Sequence, residues 1–271
     1  MIEARVFQPH ASEQDAAFVA RALDLGDAGA VRAQLAGGGR EAMLADARLF
    51  NALTARGEPF VHVSPGLFFE ALLLRAVREM GRARYTIERD GAGRVPVFDA
   101  PDVASFAAAP GVVDYLAHLL ASFTRIEGRT ARVRVRRGVW RKSRSGDLDV
   151  RSLVRRMEDA TEEERLPLYK RTADTCLFIL GVFPDYAALA ARYPGSGALR
   201  PRAAGRLTAE EYETIAHQAY AAASVHRGAP APLAALFERL SAHVAEAKKP
   251  LNLVAERYLG YRRTQLFGWG G

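Results

Sequence analysis

The chain has 271 residues and a formal net charge of +7, and its 49% hydrophobic and 25% charged residues exclude disorder along the whole length. Its one cysteine, Cys176, excludes an intramolecular disulfide and a thiolate zinc cage. No motif in the chain predicts a cofactor or a metal. No signal-peptide pattern follows Met1 and no apolar run approaches the roughly 20 residues of a membrane span, so we expect a soluble, cytoplasmic protein.

Apolar residues recur at helical spacing through the first half of the chain. Ser12 is expected to cap the first helix, which Gly26 ends. Ser64 and Pro65 are expected to begin a core helix, because proline fits the first helical position. In chain order, the predicted helices of this half cover residues 13–25, 28–36, 41–55, 67–80, 102–108 and 112–123.

Two alternating segments between these helices predict a β-hairpin. Residues 85–89 and 94–98 alternate along the chain and flank a turn, residues 90–93, that contains two glycines. Pro96 places its strand at a sheet edge, because proline has no N–H to donate to a neighbouring strand.

Helical patterns dominate the second half as well. Capping boxes are expected at Thr161 with Glu164 and at Thr208 with Glu211, and Gly181 is expected to end the helix that Thr161 begins. The predicted helices of this half cover residues 147–157, 161–180, 208–225, 232–247 and 251–259.

These elements predict a mainly α fold, an irregular multi-helix globular bundle with one or two small β-hairpins. We interpret residues 1–271 as a single helical domain. Residues 192–205 are rich in proline and glycine and are predicted to form a surface loop, with a domain boundary as the alternative. The tail, residues 265–271, is predicted to be irregular, and its Phe267 and Trp269 either dock on the protein's own core or form a hook for a partner.

The positive charge is concentrated in the middle of the chain. Between Arg125 and Arg156, twelve arginines or lysines face three carboxylates, a local charge of +9. The remainder of the chain therefore carries −2 of the total charge of +7. The basicity is a property of one segment.

Within this segment the residues from 132 to 136 alternate between arginine and valine, which predicts a strand with one apolar and one arginine-lined face. Gly138 follows, and a short second strand after it would complete a hairpin. Such a surface suits phosphate, because guanidinium groups bind it through paired hydrogen bonds and an indole offers a stacking platform. The candidate anion-binding residues are Arg132, Arg134, Arg136, Arg137, Trp140, Arg141, Lys142 and Arg144.

The arginines also have a purely structural interpretation. Charged side chains on an edge strand protect it from pairing with other chains, and carboxylates elsewhere in the fold could neutralise them. If the segment binds an anionic partner, nucleic acid is favoured over a membrane surface, because the residues alternate and do not form an amphipathic basic helix.

Asp174 and Cys176 form a second candidate site, in the apolar helix that precedes Pro184. A functional carboxylate and a nucleophilic thiol are one interpretation. A reactive thiol needs an electropositive, partly exposed setting and usually a histidine, and the adjacent sequence offers no histidine. The other interpretation pairs Asp174 with an arginine and makes Cys176 a small buried apolar residue.

The remaining motifs favour no chemistry. Glu213 and His217 share a predicted helix, but the chain contains no Glu-x-x-His motif of the kind that builds di-iron sites. The glycine pairs lack the lysine and hydroxyl residue of a phosphate-binding loop, and no Gly-x-Ser-x-Gly motif is present.

These observations support three hypotheses. The first is a non-enzymatic helical binding or regulatory protein that engages an anionic partner, nucleic acid or an acidic protein surface, through the arginine-rich hairpin. The second is a protein–protein interaction scaffold. The third is an enzyme with a site near Asp174.

Overall fold

The computed structural model of the chain describes residues 11–55, 62–90, 93–124, 131–136, 139–143, 149–187 and 207–268. At residues 89, 90, 131–136 and 139–143 it describes the backbone. The fold is mainly α with a small β component, as predicted.

Nine helices lie in the described residues up to position 187 with assigned bounds. They are α1 (Glu13–Leu23), α2 (Ala28–Ala36), α3 (Arg40–Leu44), α4 (Ala47–Thr54), α5 (Pro65–Met80), α6 (Ala100–Ala107), α7 (Val112–Phe123), α8 (Val150–Glu158) and α9 (Glu162–Val182). The later ones are α10 (Ala209–Ser224), α11 (Ala231–Ala242), α12 (Val244–Leu253), a π-helical segment (Val254–Leu259) and α13 (Arg262–Phe267).

Four strands form two antiparallel hairpins. Strands β1 (Thr86–Asp90) and β2 (Gly93–Val97) make the hairpin predicted before α6, with Pro96 opposite Ile87. Strands β3 (Ala131–Arg136) and β4 (Val139–Ser143) pair with each other between α7 and α8. Each hairpin is a two-stranded sheet, so Pro96 lies on an edge strand as predicted.

The predicted single helix over residues 41–55 is wrong. Helix α3 ends at Leu44, and Asp46 begins α4 by accepting a 2.8 Å hydrogen bond from the backbone N–H of Arg48. Aspartate is a strong helix cap, and here its preference for the cap outweighs the continuous apolar pattern. Helix α1 also ends earlier than predicted, because Asp24 adopts a left-handed conformation with φ of 58°.

The boundaries near the C-terminus differ too. A break at His243, with φ of −131°, separates α11 from α12, and Pro250 lies inside α12, in the stretch where the gap between two helices was predicted. The tail is not irregular at its start, because α13 extends to Phe267. Trp269 and residues 192–205 lie outside the described part of the chain.

Helix α9 lies at the centre of the fold, with every residue from 172 to 182 buried. It packs against α7, α8, α10 and α12. Phe178 stacks on Phe123 with ring centroids 4.1 Å apart and meets Phe267 edge-on at 5.0 Å. Phe267 therefore docks on the protein's own core, one of the two outcomes expected for the tail.

In the residues that the structure describes, no single helix has both the length and the apolar character to cross a bilayer. Helices α6 and α7 reach that threshold only as a pair, and an angle of 86° separates them.

The sequence pattern predicted that Gly181 ends α9. In the structure Gly181 belongs to the helix, which ends at Val182. A Cβ atom at this position would lie 2.5 Å from the Cβ and 2.7 Å from the Cδ1 of Leu251 on α12. The side chain of Asn252 donates to the carbonyl oxygens of Leu180 and Gly181 at 2.9 and 2.6 Å. The glycine is required by the close approach of two helices.

We expect Gly181→Ala to destabilise the protein by about 1–3 kcal/mol, because the added methyl group forces α9 and α12 apart. Thermal unfolding followed by circular dichroism measures the effect. Gly26→Ala is the matched control, since a Cβ at Gly26 meets no atom within 4 Å. Equal melting temperatures for the two variants would contradict the close contact.

Candidate functional site

The backbone of the arginine-rich segment forms the predicted hairpin. In the register of β3 and β4, Arg132 lies opposite Lys142 and Arg134 lies opposite Trp140. Residues directly opposite each other in an antiparallel pair belong to the same face of the sheet. These four positions therefore share one face of the hairpin.

The alternation does not extend to the end of β3. The register shifts between Arg134 and Arg136, so that Arg136 lies opposite Val139. A shift of this kind is a β-bulge, which increases the local twist and ends the simple two-residue alternation. Arg141 lies opposite Val133, on the other face. Arg137 and Arg144 lie outside the described residues, and the anion-binding role of all eight candidates stays a prediction.

Helix α8 belongs to the same basic segment, and the structure describes its side chains. Val150 and Leu153 are buried, whereas Arg151, Arg155 and Arg156 are exposed. The helix begins at Asp149, whose carboxylate accepts a 3.2 Å hydrogen bond from the backbone N–H of Ser152. One side of this short helix therefore packs inside the fold, and its arginines face solvent.

The exposed arginines of α8 have few internal partners. Within the described chain, no carboxylate lies at ion-pair distance from Arg151 or Arg156. Arg155 donates to the hydroxyl of Ser152 at 3.4 Å. The pKa of Asp149 is lowered by hydrogen bonds from Ser152 first and by the charge of Arg155 to a smaller extent. Among the described residues, no carboxylate therefore competes with a ligand for Arg151 or Arg156.

Asp174 lies at the centre of a buried polar cluster, and only 2% of it is exposed. Its Oδ1 accepts hydrogen bonds from the hydroxyls of Tyr115 and Tyr220, the latter at 2.8 Å. Its Oδ2 accepts from the Nζ of Lys170 at 2.5 Å. One carboxylate on α9 therefore joins α7 and α10, and we call these four residues the Asp174 cluster.

The predicted partner of Asp174 was an arginine, and this is wrong. Lys170 precedes Asp174 by one helical turn on α9, and its ammonium also lies 5.1 Å from the ring centre of Tyr115. Tyr115 and Tyr220 were missed by sequence reasoning. Each is a tyrosine within an apolar helical stripe. Only the packing of three helices brings the two hydroxyls to the same oxygen, Oδ1 of Asp174.

The chemistry of this cluster is that of a satisfied structural site. Burial, and then the negative charge of Asp174, raise the pKa of both Tyr115 and Tyr220, so the two phenols remain protonated donors. Cys176 is fully buried, as one interpretation of the sequence expected, and burial raises the pKa of its thiol. A thiolate nucleophile is disfavoured at this position.

A second buried ion pair was also missed. The guanidinium of Arg40 makes a bidentate contact with Glu70, from Nε to Oε1 at 2.8 Å and from Nη2 to Oε2 at 2.5 Å. Both side chains are less than 5% exposed. Arg40 also donates to the carbonyl oxygen of Leu35 at 3.2 Å. The sequence signal was Glu70 itself, a lone carboxylate inside the apolar stripe of α5.

A cleft of about 510 Å³ lies beside this pair. Glu70 and Asp114 contribute carboxylates to its walls, and Arg78 and Arg239 contribute guanidinium groups. Leu74, on α5, is among the apolar lining residues. Glu41 adds a third carboxylate, so the walls of the cleft carry mixed charges.

The residues that the structure describes contain no group of three histidine, cysteine or acidic side chains placed to hold a metal. Glu213 pairs with Lys248, and the Nδ1 of His217 lies 2.9 Å from the carbonyl oxygen of Ser241. The two residues therefore have separate protein partners. They do not form a shared site.

No known protein family matches this chain, and neither a curated protein nor a solved structure is similar to it. Its function must be argued from its own residues. The Asp174 cluster and the pair of Arg40 with Glu70 are internally neutralised. Among the described residues of the basic segment, Arg151 and Arg156 have no carboxylate at ion-pair distance.

Proposed function

We propose that this chain binds nucleic acid through phosphate contacts, and that it does so without catalysing a reaction. The contact region is the hairpin β3–β4 together with Arg151, Arg155 and Arg156 of α8, which we call the basic surface. The observation that carries the proposal is the exposure of the three α8 arginines, with no carboxylate paired to Arg151 or Arg156 in the described chain.

Unpaired guanidinium groups are what a phosphate backbone requires. A charged side chain already in an ion pair must lose that partner before it binds a ligand, whereas an unpaired one exchanges only water and counterions. Residues 125–156 carry a charge of +9 and the rest of the chain carries −2, so a polyanion is attracted to this segment. Phosphates have no sequence identity, so the chain should discriminate weakly between base sequences.

A membrane surface fits the basic surface less well than nucleic acid. Membrane-binding basic helices insert an apolar face into the lipid boundary. The apolar face of α8 is already used inside the protein, because Val150 and Leu153 are buried where α8 packs against α9. The helix has no second apolar face to offer.

The test is fluorescence anisotropy with labelled duplex DNA and with labelled RNA across a series of salt concentrations. Neutralising about five phosphates should give a slope of log affinity against log salt of about −4. The double variant Arg151→Glu and Arg155→Glu should weaken binding and make the slope less negative by about 2. The variant Arg134→Glu and Arg136→Glu should act in the same direction.

The matched control reverses two exposed arginines elsewhere, Arg21→Glu and Arg239→Glu, which changes the net charge by the same amount. This control should retain most of the affinity. Absence of binding at low salt, or equal losses in the control and in the α8 variant, would overturn the proposal. A protein that remains bound to the chain after nuclease treatment, with no affinity for labelled nucleic acid, would instead support the scaffold hypothesis.

A further inference from the structure

The hairpin β1–β2 exposes an aromatic face that the proposed function does not use. Tyr85 is 49% exposed, Ile87 is 47% exposed and Phe98 is 76% exposed. The register places Ile87 opposite Pro96, so that Tyr85 and Phe98 are the next pair along the same face. Their ring centroids are 6.0 Å apart, with an angle of 65° between the planes.

The opposite face of this hairpin anchors it to the fold. Thr86 is buried, and its hydroxyl donates to Asp99 at 2.6 Å. The ammonium of Lys249 on α12 contacts Glu88 at 2.6 Å and also pairs with Asp99. Burial opposes the charge of Lys249, but hydrogen bonds from its ammonium to these two carboxylates outweigh burial and raise its pKa. The hairpin is therefore held in place with its aromatic face toward solvent.

Two exposed arginines lie next to the aromatic face in the chain. Arg84 directly precedes Tyr85 and Arg82 lies three residues before it. In the chain as described, neither has a carboxylate at ion-pair distance. The neighbouring carboxylates are already engaged, Glu88 and Asp99 by Lys249, and Glu79 by Arg75 and Arg257.

We propose that the aromatic face, defined as Tyr85, Ile87 and Phe98 with Arg82 and Arg84 beside it, binds the unpaired bases of single-stranded nucleic acid. This inference rests on the proposed function and names the form of nucleic acid that the chain prefers. An exposed ring stacks on any base, and the adjacent guanidinium groups bind the phosphates that lie one nucleotide apart. Duplex nucleic acid hides its bases and would use the basic surface alone.

An apolar protein partner fits this face less well. Such a partner would cover Arg82 and Arg84 together with the rings, and two unpaired cations would then lose their water without gaining an anion. A nucleotide chain supplies a base and a phosphate in the same repeat. The two arginines and the exposed rings together therefore favour a polyanion that also carries flat rings.

The experiment compares a labelled single-stranded thymidine oligomer with a duplex of equal length, by anisotropy. The double variant Tyr85→Ala and Phe98→Ala should weaken single-strand binding by about tenfold or more and leave duplex binding unchanged. Its slope of log affinity against log salt should equal that of the wild type, since stacking releases no counterions. The conservative variant Tyr85→Phe and Phe98→Tyr should retain the affinity.

Tyr261→Ala is the matched control, because Tyr261 is 79% exposed and lies outside both surfaces. Wild-type single-strand affinity in the double alanine variant, with the effect of the α8 arginines intact, would overturn this inference and leave the proposed function standing. If the wild type bound neither the single strand nor the duplex, both this inference and the proposed function would be overturned. The double alanine variant could instead have half the solution mass of the wild type and an unchanged single-strand affinity. That result would assign the face to a second copy of the chain and overturn the inference.

Discussion

Replacing Arg40 with methionine should destabilise the protein by about 3–5 kcal/mol. The substitution leaves the carboxylate of Glu70 buried, with less than 5% of its side chain exposed, and without the three guanidinium hydrogen bonds that it accepts. An isolated charge away from water is among the most costly defects that a single substitution can create. Chemical denaturation followed by circular dichroism measures the loss.

The double variant Arg40→Met and Glu70→Met provides the control. Replacing both members of a buried ion pair by apolar side chains of similar size is often neutral, because no charge remains to be solvated. We therefore expect the double variant to be more stable than Arg40→Met alone. If adding Glu70→Met to Arg40→Met lowered stability further, the two residues would act independently, and the buried pair would not be the source of the effect.

Replacing Asp174 with alanine should lower the free energy of unfolding by a similar amount, about 3–5 kcal/mol. The change removes the acceptor that the buried hydroxyls of Tyr115 and Tyr220 share, removes the carboxylate that pairs with Lys170, and leaves a cavity beside α9. Each hydrogen bond to a charged group contributes about 1.5–3 kcal/mol. Unfolding by denaturant measures the change, and Asp159→Ala, at an exposed position, is the matched control.

Two further variants separate the parts of this cluster. Tyr115→Phe and Tyr220→Phe should each cost about 1.5–3 kcal/mol, the usual range for a hydrogen bond to a charged group. Their combined loss should differ from the sum of the two, because both hydroxyls share Oδ1 of Asp174. Strict additivity would contradict a shared acceptor.

The Asp174 cluster also bears on the hypothesis of an enzyme. A carboxylate whose two oxygens already accept three hydrogen bonds has little capacity left for a substrate. If a panel of cofactors and metabolites contains a ligand that raises the melting temperature of the wild type but not of Asp174→Asn, the enzyme hypothesis gains support. Stabilisation that is equal in both proteins would place the ligand elsewhere.

Local signals in the sequence were sufficient for most of the helices. Ser12, Ser64 and Thr208 each begin a helix as predicted, because a cap is a contact between a side chain and a backbone N–H three residues away. The hairpin over residues 85–98 was predictable for a similar reason, since alternation and a glycine turn are properties of neighbouring residues. The sequence also located the net positive charge between Arg125 and Arg156, because charge is counted without knowing the fold.

Contacts between distant residues were decided by the tertiary structure. Asp174 meets Tyr115 and Tyr220, which lie 59 and 46 positions away, and Arg40 meets Glu70 across 30 positions. Gly181 was predicted to follow the last residue of a helix, but it is the penultimate residue of α9, and only the approach of Leu251 creates the need for a missing Cβ. Periodicity assigns a residue to the inner face of a helix, but it does not say which other helix that face meets. Hydrogen-bond partners therefore follow from packing, whereas caps, turns and total charge follow from the order of residues alone.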